Sequence, residues 1–118
     1  MKVTELTTQY DSRKSFYGKA FELDKGRGIF ALRSYDTEVL TLNTKTNTLK
    51  LYGASIWSQT TLRHVREYLL QNDITPNNIM INGRTLNSFS KANLELLVNK
   101  KIKINQDNII KSLLKKVS

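Results

Sequence analysis

Four short segments rich in aromatic and aliphatic residues follow one another between residues 15 and 54, at a spacing of about ten residues. They read SFYGKAFEL, IFALRSY, VLTLN and LKLYGA, and turn-forming residues such as the DKGRG run separate them. Short strands joined by turns are typical of an antiparallel meander. We therefore predict a four-stranded antiparallel β-meander here, either as an open sheet or closed in an OB-like or barrel-like manner.

The spacing of apolar residues changes in SQTTLRHVREYLLQN, where Leu62, Val65 and Leu69 recur at helical intervals. Either Ser58 or Thr60 can accept hydrogen bonds from the first free amides of a helix, and Asn72 suits its end. Trp57, just before the cap, fits a hydrophobic staple. The pattern predicts one amphipathic helix packed against the meander.

The remaining residues contain a hairpin signal and two helical patterns. Asn82-Gly83 is a favoured hairpin turn, a helix is predicted to begin near Ser90 and cover KANLELLVNK, and NIIKSLLKKV has one apolar stripe. These elements define an α+β fold. We predict a meander-plus-helix core module over residues 1–72, with residues 1–9 as a loose entry. Residues 73–118 are predicted to form a short hairpin and two helices on the same domain, so that the C-terminal third is mostly helical.

Composition and charge restrict the function classes. The 118 residues carry 19 lysines and arginines against 10 aspartates and glutamates, for a net charge of +9 spread over both halves. Polyanions are natural partners for such a chain, because each cation placed on a phosphate releases a condensed counterion. There is no cysteine, no apolar run of roughly 20 residues and no signal-peptide pattern. We therefore expect no membrane association and an intracellular setting.

The residues do not suggest catalysis. His64 is the single histidine, and on a helical wheel it lies almost opposite the apolar stripe, so we expect it to face solvent. A metal held between His64 and Glu67 is the alternative. No glycine-rich phosphate loop and no carboxylate pair at a catalytic spacing occur in the sequence. We expect a protein that is not an enzyme, with no cofactor and no metal.

Two arginines of the same helix have expected partners. Arg66 lies near the edge of the apolar stripe, and Asp11 or Asp36 could form an ion pair with it that fixes the helix to the sheet. Arg63 and Glu67 are four residues apart, a spacing typical of a solvent-exposed helical pair.

The aromatic residues of SFYGKAF allow two interpretations. If the segment is a strand, Phe16 and Ala20 share one face, and Tyr17, Lys19 and Phe21 share the other. An aromatic–basic–aromatic row can stack bases and contact phosphate on a single-strand-binding sheet. The same row can equally be a buried strand face with Lys19 emerging at an edge. A protein-binding surface is a third possibility, because interfaces favour the same residue types.

Three segments, YDSRKSFYGKAF, LRSYDTEVLTLN and SQTTLRHVREYLLQ, occur in this order over residues 10–72. In order and spacing they resemble a family of small uncharacterised proteins of phages of Gram-positive bacteria. The resemblance implies a phage protein acting in the cytoplasm of a bacterial host, and it supplies no catalytic residues. Residues 73–118 have no counterpart in it. Small basic phage proteins either bind DNA or block a host protein.

Together these observations predict a non-enzymatic phage accessory protein that binds nucleic acid, single-stranded DNA more readily than duplex, through basic and aromatic residues. The alternative is a protein–protein inhibitor or modulator of a host enzyme or defence factor. The candidate nucleic-acid-binding residues are Arg13, Lys14, Tyr17, Lys19, Phe21, Arg63, Lys100, Lys101 and Lys103.

Overall fold

The computed structural model describes residues 1–56 and 58–105. Its strands are β1 (Lys2–Glu5), β2 (Ala20–Asp24), β3 (Ile29–Ser34), β4 (Thr37–Asn43), β5 (Thr48–Leu51), β6 (Met80–Ile81), β7 (Arg84–Thr85) and β8 (Lys101–Lys103). Its helices are α1 (Gln59–Gln71) and α2 (Lys91–Leu97), with 3₁₀ turns at Gly53–Ile56 and Pro76–Asn78. The predicted staple at Trp57 and the predicted helix over NIIKSLLKKV lie outside the described residues.

The main structure is a six-stranded antiparallel sheet in the order β1-β2-β3-β4-β5-β8, and β6 and β7 form a separate two-stranded sheet. The predicted fold class is therefore wrong: the sheet has six strands instead of four. The described part of the C-terminal third is not mostly helical, because the seven-residue α2 is the one α-helix described between residues 73 and 105. Residues 1–56 and 58–105 form mostly antiparallel sheet with two short α-helices.

The two edge strands are the elements that our sequence analysis does not predict. Residues 1–9 are not a loose entry, since β1 pairs with β2 along its full length. All four β1 residues are exposed, so the strand has no buried face and no apolar alternation. Strand β8 has a single buried residue, Ile102, opposite Leu49 of β5. Both strands are specified by pairing with a neighbour more than by their own residue pattern.

Local signals account for α1 and the hairpin. The Ser58 side chain accepts a hydrogen bond from the Thr61 amide at 3.1 Å, and Asn72 ends α1. The predicted hairpin is confirmed, because Asn82 and Gly83 both adopt positive φ angles between β6 and β7. Asn and Gly tolerate this left-handed backbone best, which explains why the pair was a strong signal.

The core lies between the sheet and α1. Leu62, Val65 and Leu69 of α1 are buried together with Leu32 and Leu40 of the two central strands. Leu94 and Leu97 of α2 belong to the same cluster. No helix among residues 1–56 and 58–105 has the length and apolar composition needed to cross a bilayer. The opposite face of the sheet is outside this core.

The segment SFYGKAFEL is not one strand. Strand β2 begins at Ala20, and Tyr17 and Gly18 have φ angles of 53° and 71° in a turn that the Lys19 amide closes onto the Phe16 carbonyl. The left-handed residues interrupt the alternation of side chains. The prediction that Tyr17, Lys19 and Phe21 share a strand face is therefore wrong.

Candidate functional site

The sheet has a face turned away from the core, which we call the open face. Core residues alternate along the central strands with residues of this opposite face, and Leu23 and Ala31 are buried but lie outside the core cluster. The register of the strands then assigns the open-face residues as Val3, Glu5, Phe21, Leu23, Ile29, Ala31, Arg33, Glu38, Thr41, Asn43, Thr48, Lys50, Lys101 and Lys103.

Lysines are concentrated where β5 and β8 pair. Lys50 and Lys101 are direct cross-strand partners, and Lys103 is opposite Thr48. Like charges directly opposite each other destabilise a sheet. Neither Lys50 nor Lys101 has a carboxylate partner within the described ranges. The pairing therefore creates a local positive field that an anion would relieve.

A cavity of about 360 Å³ opens beside this lysine pair. Lys50 and Lys101 line it together with the neutral polar residues Thr41, Thr48 and Asn99, and Ile29 adds an apolar wall. None of its lining residues, among those the structure describes, is acidic. The cavity can therefore bind an anion without opposing charge.

A third lysine of the cavity is already paired. Lys25 forms a salt bridge with Glu38, and their side chains are 35% and 38% exposed. Ion pairs with this much solvent contact contribute about 0–1 kcal/mol. The charge of Lys25 is therefore balanced by Glu38, and the net positive charge of the cavity comes from Lys50 and Lys101.

Two aromatic rings of this region have cations over them. The Arg33 guanidinium carbon lies 4.8 Å from the centroid of the Phe21 ring, and Lys50 Nζ lies 5.5 Å from that of Tyr52. Phe21 is half-buried, and one face of its ring is covered by Arg33. Tyr52 contacts the lysine pair through Lys50.

The nine sequence-predicted residues fall into two groups. Phe21, Lys101 and Lys103 lie on the open face, and Lys100 directly precedes β8. Arg63 is on α1, and the other four are on the β1–β2 connection: Arg13, Lys14, Tyr17 and Lys19. Strands β2 and β8 are four steps apart in the sheet, or about 19 Å at the usual strand spacing. The structure does not bring the nine residues into one site.

The β1–β2 connection is held on α1 by Glu67. Glu67 Oε1 accepts hydrogen bonds from the amides of Gln9, Tyr10 and Asp11 at 3.1, 2.8 and 2.7 Å. Gln71 Nε2 donates to Glu67 Oε2 at 2.7 Å. Glu67 is buried, so the expected solvent-exposed Arg63–Glu67 pair is wrong. The carboxylate instead binds backbone amides from a segment distant in sequence.

The partners of the two arginines also differ from expectation. Arg63 forms the ion pair with Asp11, at 3.0 Å. Arg66 does not bridge to Asp11 or Asp36, because its Nε donates to the carbonyl of Phe89 at 2.7 Å. Arg66 thus connects α1 to the segment before α2 and not to the sheet.

His64 is fully buried, contrary to the expectation that it faces solvent. Its Nδ1 lies 2.7 Å from Ser34 Oγ, and its ring packs edge-on against Phe16 at 4.5 Å between centroids. The β1–β2 connection supplies Phe16, so α1 is covered on a second side that a helical wheel does not show. Burial lowers the pKa of His64 to about 4, against a weaker raising effect of Asp11.

The Ser34–His64 contact resembles a nucleophile–base pair in its distance alone. Ser34 and His64 are 3% and 0% exposed, which leaves no surface for a substrate. Within the part of the chain that the structure describes, no three potential metal-ligating side chains lie together. We interpret the contact as a buried polar link between α1 and β3.

Sequence reasoning missed Lys50, Thr41, Thr48 and Asn99. The alternation in KIKI, residues 101–104, is a period-two signal that could have indicated β8. A predicted pairing of β8 with β5 would have placed Lys101 beside Lys50, and Lys50 would then have been a candidate binding residue. No comparable local signal marks Asn99, which reaches the cavity through the turn between α2 and β8.

The family match includes most of the site. No curated protein and no solved structure matches the chain significantly. A family model covers residues 4–95, from β1 through most of α2, and so contains the cavity residues of β3 to β5 but not Asn99 or Lys101. The chain belongs to the family of unknown function DUF8033.

Proposed function

We propose that this protein binds single-stranded nucleic acid on the open face of its sheet, with backbone phosphates at Lys50, Lys101 and Lys103. The observation that carries the proposal is the direct cross-strand pairing of Lys50 with Lys101 beside a cavity without acidic lining residues. A phosphate between two such lysines removes their repulsion, so each contact gains more than an isolated surface lysine would.

Single-stranded nucleic acid fits this surface better than duplex. Duplex readout usually inserts a protruding helix or ribbon into a groove. A single strand can lie along a sheet with its bases turned to the protein, where apolar and ring surfaces contact them. Ile29 and Tyr52 provide such surfaces next to the lysines. The proposed role is binding without catalysis.

Replacing both Lys50 and Lys101 with alanine tests the proposal. We expect binding of a labelled oligothymidylate to weaken about 100-fold at low salt, and the slope of log K against log salt to become shallower by about 0.7, since the two lysines hold one phosphate and each phosphate contact on a single strand contributes about 0.7. Fluorescence anisotropy over a salt series measures both quantities. A double replacement of exposed Lys2 and Lys91 changes net charge equally and is the control.

Equal losses in the two double variants would mean that only net charge matters, and the open face would not be the site. Binding by the wild type that does not weaken as salt rises would exclude phosphate contacts altogether.

A second candidate function is binding to a host protein through the β1–β2 connection. Tyr17 and Tyr35 have φ angles of 53° and 56° and are 74% and 47% exposed. Tyrosine is unfavourable in left-handed backbone, and residues held there are frequent at functional sites. The Tyr35 amide donates to the Lys19 carbonyl at 2.7 Å, so the two turns are adjacent. Exposed tyrosines beside Lys19 suit a protein interface.

Changing Tyr17 to asparagine separates a functional from a structural role. Asparagine tolerates the left-handed conformation, and the Tyr17 side chain has no hydrogen bond within residues 1–56 and 58–105, so we expect the free energy of unfolding to rise by about 0.5–1 kcal/mol. Urea denaturation measures it. A drop in stability would show that the ring is held for folding. If the Tyr17 ring instead belongs to a protein interface, the folded variant should no longer capture a host protein from nuclease-treated lysate.

A further inference from the structure

The cavity of the open face has the size of a small-molecule site and not of a site for a bare ion. Its volume of about 360 Å³ is within the range of about 300–1,000 Å³ that is usual for ligand pockets. A phosphate group alone would occupy a small part of it. The remaining space leaves room for another part of a ligand.

The wall of the cavity is divided between apolar and neutral polar groups. Ile29 supplies apolar surface, and Thr41, Thr48 and Asn99 supply hydroxyl and amide groups. Thr48 Oγ1 is 2.8 Å from Thr46 Oγ1, and Thr41 Oγ1 is 3.4 Å from the Tyr52 hydroxyl. A hydroxyl can both donate and accept, as the edge of a nucleobase requires.

The charged part of the wall is at one side. Lys50 and Lys101 are opposite each other on β5 and β8, so their ammonium groups can contact the same phosphate. Lys25 lines the cavity too, but Glu38 balances its charge. The cavity thus combines a site for one phosphate with an uncharged remainder.

We propose that this cavity binds one nucleotide unit, with the phosphate between Lys50 and Lys101 and the base against Ile29 and the hydroxyls of Thr41 and Thr48. The choice of ligand rests on the proposed function, but the inference goes further. A strand that only lay across lysines would bind through its backbone alone, whereas here one base enters the protein and a free nucleoside monophosphate binds the same cavity.

Calorimetric titration with thymidine 5′-monophosphate, and separately with inorganic phosphate, tests this directly. We expect the nucleotide to bind at least ten-fold more tightly than inorganic phosphate, and to displace a labelled oligothymidylate in competition. Equal affinity of the two would overturn the inference, because the base would then contribute nothing.

Two variants localise the binding. Thr48→Tyr fills the cavity without changing any charge, and tyrosine is well accepted in a strand. We expect it to weaken nucleotide binding at least ten-fold while the salt dependence of oligothymidylate binding is kept. Thr37→Tyr, at the exposed start of β4, is the matched control and should bind as the wild type does. Lys101→Met, at an exposed position, should weaken the nucleotide and inorganic phosphate alike, and it serves if Thr48→Tyr does not fold.

The outcomes distinguish this inference from the proposed function. Binding of the oligothymidylate without nucleotide selectivity leaves the function standing and overturns the inference. Binding of the nucleotide without binding of the oligothymidylate overturns the proposed function and leaves the inference standing. Nucleotide affinity that is unchanged in both Thr48→Tyr and Lys101→Met would place the ligand elsewhere and overturn the cavity assignment.

Discussion

Replacing Glu67 with alanine is expected to lower the free energy of unfolding by about 3–5 kcal/mol, because three partly buried amides lose a charged acceptor at once. These amides belong to Gln9, Tyr10 and Asp11, at 3.1, 2.8 and 2.7 Å from Glu67 Oε1. Residues 1–56 and 58–105 offer these amides no other acceptor, so the β1–β2 connection should detach from α1 and uncover Phe16. Urea denaturation monitored by circular dichroism measures the loss.

Two further variants serve as controls for Glu67. Glutamine keeps an oxygen at the same position without the charge, so Glu67→Gln should cost clearly less than Glu67→Ala. Glu95 is exposed on α2, and Glu95→Ala should change stability by less than about 0.5 kcal/mol. If Glu67→Ala is no more destabilising than Glu95→Ala, the carboxylate does not hold the connection.

The second large effect is a dependence of stability on pH that His64 causes. Burial lowers the pKa of His64 in the folded protein to about 4, while the unfolded chain keeps the ordinary 6.5. Between these values the unfolded state binds more protons, so acidification favours unfolding. The contribution of neutral His64 to the free energy of unfolding is complete above about pH 6.5 and declines as the pH falls to about 4. Below that pH the histidine is protonated in both states, so it causes no further change in stability. At about 1.4 kcal/mol per pKa unit, it is on the order of 3 kcal/mol.

Comparison with His64→Gln isolates this effect. Glutamine does not titrate, and carboxylates contribute to the pH dependence of both proteins in the same way. The stability of the wild type relative to the variant should therefore fall on the order of 3 kcal/mol between pH 7 and pH 4, as measured by urea denaturation at a series of pH values. A difference that stays constant over this range would mean that His64 titrates normally, and hence that it is not buried.

Predictions from sequence were reliable where the signal is local. The cap at Ser58, the end at Asn72, the start of α2 after Ser90 and the hairpin at Asn82-Gly83 each depend on a few adjacent residues, and all are present in the structure. Strands β2 to β5 also lie within or next to the segments rich in aromatic and aliphatic residues.

The errors concern contacts between distant parts of the chain. His64 and Glu67 were assigned to the solvent side of α1, because nothing in the helix itself shows that the β1–β2 connection covers this side. The fold class was wrong for a related reason, since β1 and β8 depend on pairing with neighbouring strands. The turn at Tyr17 was missed because tyrosine seldom adopts left-handed backbone.

The candidate site also contains residues that the local sequence indicates and residues that only a contact between distant segments brings in. Lys101 and Lys103 were selected as part of a basic cluster, without a strand to place them. Their relation to Lys50 and Thr48 exists only through the β5–β8 pairing, which joins segments about 50 residues apart. A site assembled by a non-local strand pair has no contiguous motif, so composition could indicate polyanion binding without locating the surface.

Amide chemical-shift mapping tests the location of the binding surface most directly. Titration of the ¹⁵N-labelled protein with an unlabelled oligothymidylate should perturb the amides of Thr41, Thr48, Lys50, Asn99 and Lys101 most strongly, and those of Arg13, Lys14 and Tyr17 little. Shifts concentrated on the β1–β2 connection, or none at all at low salt, would contradict the assignment of the open face as the nucleic-acid-binding surface.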